Sequence, residues 1–277
     1  MPVAARALHP YLQVGRPLVL AHRGLHTAAT ENSMEAFEAA VAVGVTHLET
    51  DVRATADGAL VVFHDHRLDR LTDLTGAIAE VTWDRLRRVR LTGGERVPLL
   101  AEVAAAWPTL RLNVDLKAAG AVRPFADLVR ATRSRERVCV ASFSDRRRRD
   151  AVRALADLGP VAYSLGARAS AAAVALAAAG APVRLLARAL AGAVALQLPD
   201  RAGAVPVVTR RLVTAVQAAG AQVHVWTVDD PARMRALLAE GVDGIVTNRA
   251  DVAVPLAAAA RAAAAGTRAF GDERGTA

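Results

Sequence analysis

The chain has 277 residues, 53% hydrophobic and only 4% aromatic, a length near the roughly 250 residues of an eight-stranded α/β barrel and with ample Ala and Val for one core. Its formal charge of +8 is spread along the sequence, and the densest run, Arg146, Arg147, Arg148 and Arg149, sits where a helix begins and reads as a solvated face, so a small anionic substrate is expected rather than nucleic acid. The single Cys139 excludes an intramolecular disulfide, the first 16 residues lack an apolar stretch of signal length, and the weakly polar stretch 169–183 is too short to cross a bilayer, so a cytoplasmic protein with no stable membrane insertion is expected.

In chain order, short β-branched runs that end in polar residues fall at 17–21, 46–52, 110–116, 137–141, 160–163, 194–198, 222–227 and 242–246. Helical Ala/Leu/Arg patterns lie between most of them. Eight βα units in this length point to a parallel sheet closed into a (β/α)8 TIM barrel rather than an open doubly wound sheet. A ninth run at 59–63 follows Asp57-Gly58 too closely for a crossover helix, so it reads as a hairpin strand inserted after strand two. Asn32-Ser33 can cap a helix over 34–43 that Gly44 closes, and Asp230-Pro231 opens one that Gly241 closes. A last helix is expected over 252–265, with Pro255 in its first turn, which makes 1–265 a single barrel domain and 266–277 a frayed tail.

Polar residues at the C-terminal ends of barrel strands face an active site. Strand one ends in His22-Arg23-Gly24, strand two carries Glu49 and Asp51, the hairpin strand ends in His64-Asp65, and the next barrel strand carries Asp115 and Lys117. Residues two apart share a strand face, so Glu49, Asp51 and Asp115 converge. Three carboxylates crowded at one mouth repel unless a hard divalent cation lies among them; salt bridges to arginine are the alternative. Lys117 is the only lysine among 35 Lys+Arg, and its compact ammonium suits a phosphate oxygen or a carboxylate cluster. Arg23 offers a bidentate fork for phosphate, or an ion pair to Glu49. His22 and His64 stand at strand ends, His47 and His224 lie inside strands as packed or paired residues, and His9, His26 and His66 read as loop residues.

These motifs resemble the glycerophosphodiester phosphodiesterase family. The matching segments are His22-Arg23-Gly24, Glu31-Asn32-Ser33, Glu49-Thr50-Asp51, His64-Asp65, Leu68-Asp69-Arg70 and 97–102, with Val225-Trp226-Thr227-Val228 and 241–247 near the end. The likeness runs from about residue 18 to 250. It departs where Asp115 stands for the usual Glu, Ser33 for Thr, and Asn248 and Ala250 for Asp and Pro.

The resemblance implies a divalent cation, Mg2+ or Ca2+, held by Glu49, Asp51 and Asp115, with Arg23 and Lys117 clamping the phosphodiester. It implies His22 as the base and His64 as the acid toward the departing alcohol, releasing glycerol 3-phosphate. Trp226 would wall a glycerol or acyl group or pack in the core, and Glu31 would orient a ligand or support the helix entry. Two rival readings remain. One is a lysophospholipase D-like enzyme for lysolipids, for which 182–198, with Leu185, Leu186, Leu190 and Leu196, would supply an apolar lid, although ordinary helix and strand packing explains the same leucines. The other is a non-catalytic phosphate- or polyanion-binding barrel, in keeping with the net charge.

Overall fold

The computed structural model describes residues 8–272. In chain order the first half contains β1 (Leu18–His22), α1 (Met34–Ala42), β2 (His47–Ala54), β3 (Leu60–Val62), α2 (Trp83–Leu86), α3 (Leu100–Ala106), β4 (Arg111–Leu116) and α4 (Val122–Ala131). There follow β5 (Val138–Ala141), α5 (Asp145–Ala154), β6 (Ala162–Tyr163), α6 (Ala167–Ala178), α7 (Val183–Leu190) and β7 (Ala195–Pro199). The chain ends with β8 (Arg201–Ala202), β9 (Val205–Pro206), α8 (Arg210–Ala218), β10 (Gln222–Trp226), α9 (Pro231–Glu240), β11 (Gly244–Thr247) and α10 (Ala250–Asp272).

Eight of these strands run parallel in the order β6-β5-β4-β2-β1-β11-β10-β7. The ring closes where Ser164 bridges Ala195 and the Val194 amide donates to the Tyr163 carbonyl at 2.9 Å. This is the (β/α)8 barrel expected from the alternation of runs. β3 lies antiparallel on β2, with Val62 opposite Val52 and Leu60 opposite Ala54.

Period-two alternation divides the apolar residues between two layers. Leu48, Val52, Leu112, Val114, Val223 and Ile245 face outward against helix residues such as Phe37, Phe125 and Leu237. Inside the barrel, Leu18, Leu20, Cys139, Ala162 and Val246 meet Tyr11 and Leu12 from the turn Pro10–Leu12. That turn closes the floor: Tyr11 stands edge-on to His47 with ring centroids 4.9 Å apart, and its carbonyl lies 3.0 Å from His47 Nε2. The segment after β3 has a small core of its own, with Phe63, Leu68, Ile78 and Leu86 at its centre.

Capping follows the sequence. Ser33 Oγ accepts from the Ala36 amide at 3.1 Å, Asp230 accepts from the amides of Ala232 and Arg233, and Gly44 and Gly241 take φ of 90° and 89°, a region open to glycine at little cost. Two expectations need correction and one open pair of readings is resolved. First, α10 begins at Ala250 and continues to Asp272, so residues 266–272 of the expected tail are helical; one Gly266 costs about 1 kcal/mol against Ala, too little to end so alanine-rich a helix. Residues 273–277 lie outside the described ones. The earlier start also puts Pro255 inside the helix rather than in its first turn.

Second, the lid that the lysolipid reading would draw from 182–198 is α7 and β7, with Leu186, Leu190 and Leu196 packed in the outer core, in line with the ordinary packing reading of those leucines. The spacing of its leucines serves helix packing. Third, the arginine run is solvated only in part: Arg146 and Arg149 are exposed, but Arg147 donates to the Leu116 carbonyl at 2.7 Å and Arg148 is buried over the Tyr163 ring. Among the described residues no helix is long and apolar enough to cross a membrane.

Candidate active site

The barrel floor is plugged, so the cleft opens at the C-terminal ends of the strands. It has a volume of about 740 Å3, and His22, Arg23, Glu49, Asp51, His64, Asp115 and Lys117 line one side of it. Strand register brings them together: His22 lies opposite Glu49, Glu49 opposite Asn113, and Asp51 opposite Asp115.

The turn after β1 is built for close approach. Arg23 has φ of 58° and Gly24 φ of 87°, and a Cβ on Gly24 would stand 2.6 Å from the backbone of Ala36; only glycine fits. The turn aims Arg23 at two carboxylates, with Nη1 donating to Glu31 at 2.9 Å and Nε lying 3.0 Å from Asp51 Oδ2. Its partner is therefore not Glu49, whose backbone carbonyl accepts from the Arg23 amide instead. Glu31 also accepts from Arg70 Nη2 at 2.7 Å. Held by two arginines, Glu31 does not line the cleft, which favours its supporting role over contact with a ligand.

Asp51 is the most engaged carboxylate. Lys117 Nζ lies 3.0 Å from Oδ1, and Asn32 Nδ2 donates to Oδ2 at 3.0 Å. Asn32, with φ of 60°, is itself held by the Thr50 hydroxyl at 2.9 Å. Burial opposes ionisation of Asp51, but Lys117 and Arg23 outweigh it and hold its carboxyl below the usual range. Lys117 also donates to Asp115 at 2.7 Å.

Glu49 and Asp115 differ from Asp51. Both are buried, and Glu49 Oε2 and Asp115 Oδ1 have no hydrogen-bond partner. Burial, then repulsion from Asp51 and Asp115, pushes the Glu49 carboxyl well up; burial also raises Asp115, against the pull of Lys117. Two orphaned carboxylate oxygens at one mouth are a strained electrostatic arrangement that a cation relieves. Among the described residues no set of three or more His, Cys, Asp or Glu side chains is gathered into a ready metal cage, and Lys117 and Arg23 pair with Asp51. The donor set still suits a hard cation: every candidate atom is oxygen, and each carboxylate has more lone pairs than its present donors use.

The two mouth histidines are each tied at Nδ1. Asp229 accepts from Asn248 Nδ2 at 2.7 Å, which turns Asn248 Oδ1 toward His22 Nδ1 at 2.7 Å. An amide oxygen only accepts, so His22 carries its hydrogen on Nδ1 and leaves Nε2, 3.9 Å from Glu49 Oε2, free for the cleft. Burial, then Arg23, lowers the His22 pKa, partly offset by the Asn248 hydrogen bond. His64 Nδ1 meets Asp65 Oδ1 at 2.6 Å, and Arg70 Nε donates to Asp65 Oδ2 at 2.6 Å. Arg70 chiefly accounts for the depression of the Asp65 carboxyl to about 2.

Trp226 lines the cleft and stacks edge-on with Phe143 at 5.5 Å. His47 and His224 are wholly buried, as their positions inside strands suggest. Sequence reading gives no role to Asn248, to Arg70 within its motif or to His26 in its loop, the last within 3.1 Å of Asn248 Oδ1, and it passes over Asp229 and Phe143 altogether. A lone Asn or Asp in a loop carries no spacing signal for such a role.

The sequence profile of the glycerophosphoryl diester phosphodiesterase family matches residues 22–252. The Mycobacterium tuberculosis protein named Probable glycerophosphodiester phosphodiesterase 2 is 41% identical over 243 residues, covering 87% of this chain and 91% of that protein. A glycerophosphodiester phosphodiesterase of Caldanaerobacter subterraneus is 28% identical over 256 residues, or 87% of this chain and 98% of its own. The crystal structure of an Agrobacterium tumefaciens glycerophosphodiester phosphodiesterase superposes with a TM-score of 0.68 at 24% identity, covering 86% of this chain and 98% of that one, a likeness of fold.

Proposed function

The chain belongs to the glycerophosphoryl diester phosphodiesterase family, and from that membership we propose that it hydrolyses glycerophosphodiesters to an alcohol and glycerol 3-phosphate by paired histidine chemistry beside a divalent cation. The observation that carries the reading is the pairing of two orphaned carboxylate oxygens, on Glu49 and Asp115, with two histidines whose Nδ1 atoms are tied. Such a site offers a free Nε2 on each histidine and negative charge in want of a counterion.

Glu49, Asp51 and Asp115 would hold the cation, Mg2+ or Ca2+, which when bound supplies Lewis-acid stabilisation of charge on the phosphoryl oxygens. Lys117 and Arg23, already at the mouth, neutralise the remaining oxygens of the diester. His22, its pKa lowered by burial and Arg23, is neutral near pH 7 and accepts a proton at Nε2 from water or a substrate hydroxyl. His64, held at Nδ1 by Asp65 Oδ1 across 2.6 Å, donates from Nε2 to the departing alcohol oxygen. Trp226 closes the site on the side away from the carboxylates. We place the enzyme in the cytoplasm, acting on small diesters without nucleic acid.

The test is hydrolysis of a glycerophosphodiester before and after chelation. Chelator should abolish turnover and added Mg2+ or Ca2+ should restore it, with glycerol 3-phosphate as product. Full turnover in chelator would remove the cation from the reading.

A further inference from the structure

Between the charged mouth and the plugged floor, the barrel interior carries side chains that packing alone does not require. Leu20, Cys139, Ala162 and Val246 supply apolar filling, as barrel interiors usually do. Beside them stand four neutral polar side chains, Asn113 on β4, Gln197 on β7, and Gln222 and His224 on β10. Burying such groups costs free energy unless they find partners, and these four meet one another in a chain. Gln197 and Asn113 lie three strands apart around the ring, so the 2.9 Å bond from Gln197 Nε2 to Asn113 Oδ1 crosses the lumen. The second hydrogen of that amide nitrogen is directed to His224 Nδ1 at 3.5 Å, while His224 Nε2 lies 2.9 Å from Gln222 Oε1.

The chain has a direction. An amide oxygen only accepts, so His224 carries its hydrogen on Nε2 and its Nδ1 is left to accept from Gln197. Gly244 makes room for this ring, since a Cβ there would stand 2.8 Å from His224 Cδ2. Gln197 therefore uses both of its hydrogens inside the barrel, and Asn113 uses its oxygen. What remains faces the cleft: both residues line it, and among the described residues neither Asn113 Nδ2 nor Gln197 Oε1 has a hydrogen-bond partner. Asn113 is only 2% exposed, so this free donor sits at the base of the cleft, and strand register sets it opposite Glu49. An oriented donor thus stands beside an oriented acceptor, both uncharged. A carboxylate or an ammonium group can use only one of the two, whereas a hydroxyl donates and accepts and can use both.

We propose that Asn113 and Gln197 form a hydroxyl-binding subsite at the base of the cleft, which selects glycerol over hydroxyl-free alkyl groups as the unit kept on phosphorus. The proposal rests on the catalytic reading of the mouth and adds to it two specificity-determining residues. Neutral partners suit the task, because they leave the charge balance among Glu49, Asp51, Asp115 and Lys117 untouched. A ligand without hydroxyls would leave both amides dry and unpaired, which is how a site built to hydrogen-bond a hydroxyl rejects an analogue that lacks it.

Calorimetry on the full-length enzyme in Mg2+ buffer tests it, with glycerol 3-phosphate, 3-hydroxypropyl phosphate, which lacks the central hydroxyl, and propyl phosphate, which lacks both. In the wild type, affinity should fall by about fivefold with the first hydroxyl removed and by about fivefold again with the second. Gln197→Met and Asn113→Ala each remove one partner. Each should shrink the ratio of glycerol 3-phosphate to propyl phosphate affinity by about fivefold, with propyl phosphate as the internal reference. Affinity lowered alike for all three ligands would mark a merely structural pair and overturn the proposal. So would equal affinities in the wild type, a ratio that survives both replacements, or a change confined to Mg2+ affinity, the sign that Asn113 serves Glu49 instead. Hydroxyl-dependent binding without hydrolysis of any diester would uphold the subsite and sink the catalytic reading.

Discussion

The mouth and the floor of this barrel put the same residue type to opposite ends. At the mouth, His22 and His64 are each held at Nδ1, by Asn248 and Asp65, with Nε2 left toward the cleft. At the floor, His47 lies between Thr46 Oγ1 at 2.9 Å and the Tyr11 carbonyl at 3.0 Å. His224 lies 2.9 Å from Gln222 Oε1 and 3.5 Å from Gln197 Nε2. Burial pushes the floor pair down to about 3 and about 4. A wholly buried histidine with both nitrogens taken neither gives nor receives a proton near neutrality. On the proposed reading, position on the strand separates chemistry from support, in keeping with the barrel rule.

The sharpest way to break this comparison is to remove one histidine at a time. His64→Ala and His22→Ala should each lower kcat/KM by about 10² to 10⁴, with little change in the urea midpoint. His47→Gln and His224→Gln should leave turnover within about twofold. A floor variant that loses activity like a mouth variant would show that depth does not divide the roles.

Much of this division is legible in the sequence. The alternation of short β-branched runs with helical segments specifies the barrel, and strand-end position picks out His22, Glu49, Asp51, His64, Asp115 and Lys117. Hidden from it are contacts between distant loops: Asp229 to Asn248 to His22 joins three strand ends across more than 200 positions. Glu31 illustrates the same limit, because its motif marks it as important while only the fold shows that Arg23 and Arg70 hold it. The two readings of 182–198, lid or packing, stay open in the sequence for another reason. Leucine spacing reports that a helix has an apolar face, not which surface that face meets, and the cleft wall comes instead from the small residues of α6.

A second effect is on stability. An unfolded chain protonates His47 and His224 near 6.5, whereas the folded chain resists until about 3 and about 4. Their contribution is fully present above 6.5 and is lost as pH falls toward the folded values. Between pH 7 and pH 5 each should cost about 2 kcal/mol of unfolding free energy. Urea titrations at both pH values should show the wild type losing stability, and His47→Gln losing less by about that amount. An identical pH slope in the variant would mean that His47 is protonated in the fold or already shielded when unfolded.

The smallest effect belongs to the support of the mouth. Asn248→Leu removes the acceptor at His22 Nδ1 and the side-chain donor to Asp229 Oδ2, while the backbone amide at 248 still donates to Asp229 Oδ1. Losing one hydrogen bond to the ring proposed as the base should cost about 1 kcal/mol, several-fold in kcat, with KM little changed. The hydrogen bond favours the protonated ring, acting against burial and Arg23. Without it the His22 pKa falls further, and the acidic limb of the kcat/KM profile moves to lower pH. A merely structural Asn248 would lower the amount of folded enzyme and leave the limb in place, so the pH profile separates the two roles. If the limb stays fixed while kcat falls, the ring held by Asn248 is not the base, and the assignment of that task to His22 fails with it.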